Sequence, residues 1–201
     1  MKNMPGAMLF SVSLEQAGVI ALVLALFSFF SFSKKTLSVS GIAAGNIVGL
    51  IVLFFGGISA FFALASFFAV GEIATIYSRN KIKKIHEQRT FSNILGNTGA
   101  AIIALLLGSP IGFFGAIAAA LSDTVSSEIG MLSKKKPRLI TNFSEVEMGA
   151  NGGITSFGLF AGILGAAIVA SVYFFHSQSP ALFSVITVAG ISGSVADSLL
   201  G

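Results

Sequence analysis

Seven long apolar runs follow one another along the chain, parted by polar or glycine-rich breaks. A helix that crosses a hydrocarbon core about 30 Å thick needs about 20 mostly apolar residues. The runs therefore predict an all-α polytopic membrane protein with transmembrane helices at 14–33, 37–56, 58–78, 92–108, 110–131, 150–175 and 181–201. Three of the breaks, at Gly56-Gly57, Gly108-Ser109-Pro110 and His176 to Pro180, contain no Lys or Arg. The other three carry Lys34 and Lys35, then Arg79, Lys81, Lys83, Lys84 and Arg89, then Lys134, Lys135, Lys136 and Arg138. In a seven-helix chain these all fall on one side, and only Lys2 falls on the other. Excess Lys and Arg marks the cytoplasmic loops, so the amino terminus is expected outside and the two long basic loops in the cytoplasm.

Polar residues within the runs sort by depth. Runs three, five and seven head inward and carry acids in their cytoplasmic halves: Glu72, then Asp123 and Glu128, then Asp197. Runs two, four and six head outward and carry Asn in their first halves: Asn46, then Asn93 and Asn97, then Asn151. An ionisable side chain at membrane depth costs about 2.5–3.5 kcal/mol on insertion scales, which makes such residues candidates for a functional site. The densest stretch is LSDTVSSEIG, Leu121 to Gly130. On a helix Asp123 shares a face with Ser126, Ser127 and Gly130, while Glu128 lies about 140° around the axis.

Asp123 and Asp197, on separate helices with hydroxyls nearby, suit a hard divalent cation. Mg²⁺ takes one or two carboxylates and leaves its other positions to water and phosphate. The plainer reading is that the acids staple helices by pairing with Arg79, Arg89 or a loop Lys; it applies best to Glu72, one heptad before Arg79 on the same face. Arg89 just before the Asn93 segment, and Lys134 to Lys136 just after the Asp123 segment, put cations at the mouth of an acidic pocket. That suits a nucleoside triphosphate or a phosphorylated substrate. Gly149 to Gly158, with Gly152 and Gly153, enters a helix with free backbone N–H groups, a geometry that binds anions.

Composition sharpens the class. The chain is 54% hydrophobic and 10% charged, against about 25% charged in a soluble domain, so lipid is the solvent for most of it. The net charge of +4 then marks orientation and not a nucleic-acid partner. There is no Cys, and no H-E-x-x-H, Walker-type phosphate loop or G-x-S-x-G, so disulfide, peptidase and ordinary NTPase readings lose support. Gly41, Gly45 and Gly49, and again Gly158 and Gly162, form small-residue ridges of the kind that let helices approach closely. Asn46 to Glu72 and Asn97 to Asp123 are both 26 positions apart, at an offset of 51 that also overlays Gly57 on Gly108. This hints at two related helical hairpins.

The segments EQRTFSNILGNTGA, LSDTVSSEIG, PRLITNFSEVEMGANGGITSFG and GISGSVADSLLG resemble, in order, the motifs of an integral membrane family of unknown-function domains whose plant member is phytyl-phosphate kinase. Asp123-Thr124 with Glu128-Ile129-Gly130 is also similar to the pattern of CTP-dependent polyprenol and dolichol kinases. The resemblance implies phosphoryl transfer from a nucleoside triphosphate, typically CTP, to an isoprenyl monophosphate, with Mg²⁺ as cofactor. On this expectation Asp123 and Asp197 hold the metal, and Arg89, Lys134 to Lys136 and the Gly152-Gly153 backbone neutralise phosphate. Asn93, Asn97, Glu128 and Asn151 position substrate, and Asn46 and Glu72 are further polar groups. The partners expected are a prenyl-phosphate lipid, the nucleotide and the membrane, with a homo-oligomer left open. The site is expected on the cytoplasmic face, of the plasma membrane in a prokaryote. Members of the family continue past DSLLG, so the single domain 1–201 is expected to be a truncated or naturally short member. The alternatives are cytidylyl transfer onto a lipid phosphate and an ion-coupled transporter.

Overall fold

The apolar runs become helices whose ends are set by caps and glycine turns. The computed structural model describes residues 14–82 and 88–200, which form α1 (Leu14–Ser33), α2 (Val39–Ile82), α3 (Phe91–Leu106), α4 (Pro110–Gly130), β1 (Arg138–Leu139), β2 (Gly153–Ile154), α5 (Ser156–Ser177) and α6 (Pro180–Leu200). Lys2, Lys83, Lys84 and His86 lie outside the described residues. Helices α1, α2, α5 and α6 are long and apolar enough to cross a membrane. Exposed side chains such as Phe29, Phe54, Phe160 and Phe175 give the outer faces a surface suited to lipid.

Helix α2 spans 44 residues but is broken at Gly57, which has φ 73° and ψ −170°. Gly49 and Phe61 would stand about 18 Å apart in a straight helix. A Cβ on Gly49 would instead lie 3.6 Å from the Phe61 ring. The chain therefore folds back at Gly57, and the runs expected at 37–56 and 58–78 are the two arms of one hairpin. A second hairpin joins α3 to α4 through Gly108 at φ 70°. Ser109 caps α4 by accepting from the Gly112 N–H at 3.2 Å, and Pro110 occupies the first helical position, where a missing N–H costs nothing.

The two hairpins begin side by side. Leu37 and Arg89 form a parallel bridge: the Ser38 N–H donates to the Arg89 carbonyl at 3.0 Å, and the Arg89 N–H to the Thr36 carbonyl at 2.9 Å. With Gly57 and Gly108 both at positive φ, the 51-residue offset in the sequence has a structural counterpart.

Helix α4 is the hub, packed against α2, α3, α5 and α6. Its contact with α5 is a glycine seam. A Cβ on Gly158 would lie 2.5 Å from the Ser126 carbonyl oxygen, and one on Gly162 3.1 Å from that of Ser122. Gly190 of α6 would meet Ala166 at 2.8 Å and Ala118 at 2.9 Å. The ridge at Gly158 and Gly162 thus packs as its spacing predicts.

Two features depart from the expected architecture. The sixth helix begins at Ser156 and not near residue 150, because Gly149 (φ 85°) and Gly152 (φ 70°) take conformations that a helix excludes. Thr155 caps it, its hydroxyl accepting from the Gly158 N–H at 3.0 Å. The fold is also not purely helical. Arg138 pairs with Ile154 and Leu139 with Gly153 in an antiparallel ribbon, so residues 131–155 form a folded hairpin at the end of α4. Asn151 sits in that hairpin and not in the first half of a helix.

Candidate functional site

The stretch Asp123 to Gly130 turns two polar faces in different directions. The first lines a cleft of about 350 Å³ between the ends of α4, α5 and α6 and the 137–155 hairpin. Asp123, Ser126, Ser127 and Gly130 form one wall, as their helical spacing predicts, and Glu128 of the same helix also lines the cleft. Ser194, Asp197 and Ser198 come from α6, and Asn151, Gly152 and Gly153 from the hairpin. The half-buried Asp123 carboxylate lies near the Ser194 hydroxyl and within electrostatic range of Asp197 and Arg89. Ser126 Oγ donates to the Asp123 carbonyl at 3.0 Å and lies 3.3 Å from Ser194 Oγ. A Cβ on Gly152 would come within 2.9 Å of the Ser198 carbonyl oxygen. That close approach, at positive φ, demands glycine.

The second face points at α2. Glu128 is 9% exposed. Its Oε1 lies 3.0 Å from the Thr75 hydroxyl and 3.9 Å from Arg89 Nη2. Arg89 Nη2 in turn donates to Thr75 Oγ1 at 2.9 Å. Glu128 Oε2 is buried and has no hydrogen-bond partner among the described residues. Arg89 is thus held by its head at Thr75 and Glu128 and by its backbone at the parallel bridge. A Cβ on Gly41 would lie 2.5 Å from the Arg89 carbonyl oxygen, so glycine lets α2 close over that backbone. Burial lowers the guanidinium pKa from its ordinary value, while the Glu128, Glu72 and Asp123 carboxylates raise it. Arg89 therefore stands amid three carboxylates, one of which, Glu128, also lines the cleft.

The remaining candidates disperse. Asn93 Oδ1 accepts from the Thr90 N–H at 2.8 Å and from its hydroxyl at 3.0 Å, capping α3. Asn46 Nδ2 donates to Ser28 Oγ at 2.9 Å and to the Ile42 carbonyl at 3.0 Å, tying α2 to α1. Asn97 is half-buried on α3 and does not line the cleft. Glu72 accepts from the Ser31 and Thr36 hydroxyls, whereas Arg79 donates to the Lys34 carbonyl at 3.1 Å; the suspected Glu72–Arg79 staple is not formed. Lys134, Lys135 and Lys136 are exposed just beyond the cleft wall, with Lys136 3.8 Å from Glu147.

Reasoning on the sequence missed Thr75, Ser31 and Thr36 as partners of the acids. Thr75 carried one usable signal, its place three residues after Glu72 and four after Gly71 on a helix face. Among the described residues no three of His, Cys, Asp and Glu gather to cage a metal. Two carboxylates with serine hydroxyls are instead the oxygen donors of a hard cation that completes its shell with phosphate and water.

Residues 22–201 match a family model described as integral membrane protein DUF92. The chain is 36% identical to an uncharacterized membrane protein of Methanocaldococcus jannaschii, across 91% of this chain and 81% of that one. It is 27% identical to protein PGR of Arabidopsis thaliana, across 90% and 76%. It is 28% identical to the chloroplastic protein VTE6 of the same plant, across 82% of this chain and 55% of that one. No solved structure matches.

Proposed function

The chain belongs to the DUF92 family of integral membrane proteins, and we propose that it is a membrane kinase that moves the terminal phosphoryl group of CTP onto an isoprenyl monophosphate. The observation that carries this reading is the Asp123–Asp197 pair, set with Ser126 and Ser194 in a cleft beside Arg89. Its support from sequence is the ordered set of motifs resembling the family of phytyl-phosphate kinase, and the similarity to VTE6 agrees with it. In the transfer, an oxygen of the acceptor phosphate forms a bond to the γ-phosphorus of CTP. The bond from that phosphorus to the β–γ bridging oxygen breaks, and prenyl diphosphate and CDP result.

Asp123 and Asp197 would hold Mg²⁺, which when bound supplies positive charge to the β- and γ-phosphates. Arg89 neutralises charge on the acceptor side, and the hydroxyls of Ser126 and Ser194 orient the Asp123 end of the cleft. A phosphate monoester is already anionic, so the chain need not supply a general base. Positioning and electrostatics carry the reaction. Lys134 to Lys136 act from the rim, drawing nucleotide toward the cleft.

In this reading the two arms of α2 together with α1, α3, α4, α5 and α6 are seven spans, and the cleft faces the cytoplasm. Lys34, Arg79, Arg89 and Lys134 to Lys136 on one side support that orientation. The chain has no Cys, so a Ser133→Cys variant is labelled at one position only. Labelling of inside-out but not right-side-out vesicles is the expected result, and the reverse would overturn the orientation.

The kinase itself is tested with purified protein, CTP, Mg²⁺ and geranylgeranyl monophosphate, reading both lipid and nucleotide products. Diphosphate with CDP supports it. Pyrophosphate with a cytidylyl lipid would replace it by a cytidylyltransferase.

A further inference from the structure

A second cavity lies on the other side of Arg89. It is a groove of about 550 Å³ between α1 and the α2 hairpin. Its walls are almost wholly hydrocarbon, with Leu24, Phe27 and Phe30 from α1 facing Leu64, Phe68 and Ile76 from the second arm of α2. Those α2 positions recur four and eight residues apart and so share one helix face. The principal neighbour of α1 is α2, so the groove lies at the edge of the bundle, where a lipid can enter from the bilayer.

Charge enters the groove at one end only, through Lys34 and Glu72. Glu72 is occupied by the Ser31 and Thr36 hydroxyls. Lys34 makes no ion pair among the described residues and is the cation left to meet an anionic head. The next residue along, Gly71, is where a Cβ would lie 3.9 Å from Arg89 Nη1 and 3.4 Å from Thr124 Cγ2 of α4. The polar end of the groove, the Arg89 guanidinium and α4 therefore meet around a single turn of α2.

We propose that this groove holds the isoprenoid tail of the acceptor lipid, with its phosphate end between Lys34 and Arg89. The proposal rests on the kinase reading and adds to it where the acceptor lies and what selects its length. A single furrow with one cation at its end fits one chain bearing one phosphate. A twenty-carbon isoprenyl monophosphate is of the size that clefts of roughly 300–1,000 Å³ enclose. Acceptor and nucleotide then approach from the α1–α2 and α5–α6 sides, with Arg89 and Glu128 between them. Ala65, partly buried, and Ala69, exposed, line the groove, so larger side chains there shorten it without displacing a neighbour.

The test uses the full chain in nanodiscs and a geranylgeranyl monophosphate carrying a diazirine near its tail end, with the crosslinked peptides mapped by mass spectrometry. Labelling is expected on α1 and the second arm of α2, and unlabelled geranylgeranyl monophosphate should displace it. Ala65→Phe/Ala69→Phe should cut that labelling and raise the KM for geranylgeranyl monophosphate by about tenfold or more, while the KM for geranyl monophosphate stays within about threefold. Displaceable labelling confined to α3 through α6 would overturn the groove and leave the kinase standing. Groove labelling displaced equally well by phosphatidylglycerol would mark an ordinary bilayer-lipid site and also overturn the proposal. Absence of both turnover and displaceable labelling with prenyl phosphates would remove the kinase reading, and the proposal with it.

Discussion

Replacing Gly158 by alanine asks whether the α4–α5 seam sets the shape of the cleft. The new Cβ would lie 2.5 Å from the Ser126 carbonyl oxygen and 3.0 Å from Gly130 Cα. Both are backbone atoms, so no side chain can rotate away. The tighter contact must open from 2.5 Å to the 3.4 Å at which a Cβ sits in ordinary van der Waals contact. Helix α5 must therefore slide off α4. Overpacking of this kind costs about 1–3 kcal/mol. At about 2–4 °C per kcal/mol in a chain of this size, the midpoint should fall by about 2–12 °C. Gly158 and Ser126 both line the cleft, and a misplacement of about 1 Å there can cost about 10²-fold in rate. The chain contains neither Trp nor Cys, so heated samples are best scored by size-exclusion profile, with diphosphate formation as the activity readout. The control is Gly96→Ala, where an added Cβ meets nothing within 4 Å. A helix-interior Gly→Ala change at such an open position should be neutral or stabilising by about 0.5–1 kcal/mol. If Gly158→Ala matched Gly96→Ala in both midpoint and turnover, the seam would not govern the cleft.

Arg89→Met leaves Glu128 buried without its cation, and removing one partner of a buried pair costs about 3–5 kcal/mol; with the Arg89 side chain 24% exposed, the low end applies. Arg89→Met/Glu128→Gln should regain most of that stability but no turnover, and a double variant as unstable as the sum of the singles would show that the two do not act as a pair. Asp123→Asn should lower turnover by about 10²–10³-fold with little change in midpoint, and unchanged turnover and Mg²⁺ dependence would remove Asp123 from the site. Replacing Lys134, Lys135 and Lys136 together by Ala should raise the KM for nucleotide severalfold at low salt and hardly at all near 1 M, where the Debye length is about 3 Å; a loss that ignored salt would place these lysines in direct contact with the nucleotide.

What the sequence disclosed and what it withheld divide along a physical line. Apolar run length and turn residues fix where helices start and stop, so Gly57, the Gly108-Ser109-Pro110 turn and the end of α1 at Ser33 were all legible. Helical spacing fixes the angle of a side chain around its own axis. That is why Asp123, Ser126, Ser127 and Gly130 share a wall of the cleft while Glu128, which also lines it, turns its Oε1 to Thr75. Neither quantity says which helix stands opposite. Thr75, 53 residues from Glu128, is a single hydroxyl in an apolar stretch, and only packing makes it the group that joins Glu128 to Arg89. Glu72 failed for the same reason: Arg79 shares its helix face, but the last turn of α1 and the turn after it deliver the Ser31 and Thr36 hydroxyls first. Gly149 to Ile154 failed differently. Glycine and alanine are apolar enough to extend a hydrophobic run, whereas positive φ at Gly149 and Gly152 ends any helix there.

The same division bears on mechanism. Depth alone gathered the acids, Arg89 and the lysines into one pocket, whereas the cleft is lined by Asp123, Glu128 and Asp197 and not by Glu72, Arg89 or the lysines. Asp123 and Asp197 open on the α5–α6 side, Arg89 meets Thr75 on the α2 side, and Glu128 touches both the cleft and Arg89. On the kinase reading, nucleotide would enter from water at the cleft and lipid from the bilayer at the groove, and Glu128 with Arg89 would stand where the two approaches meet.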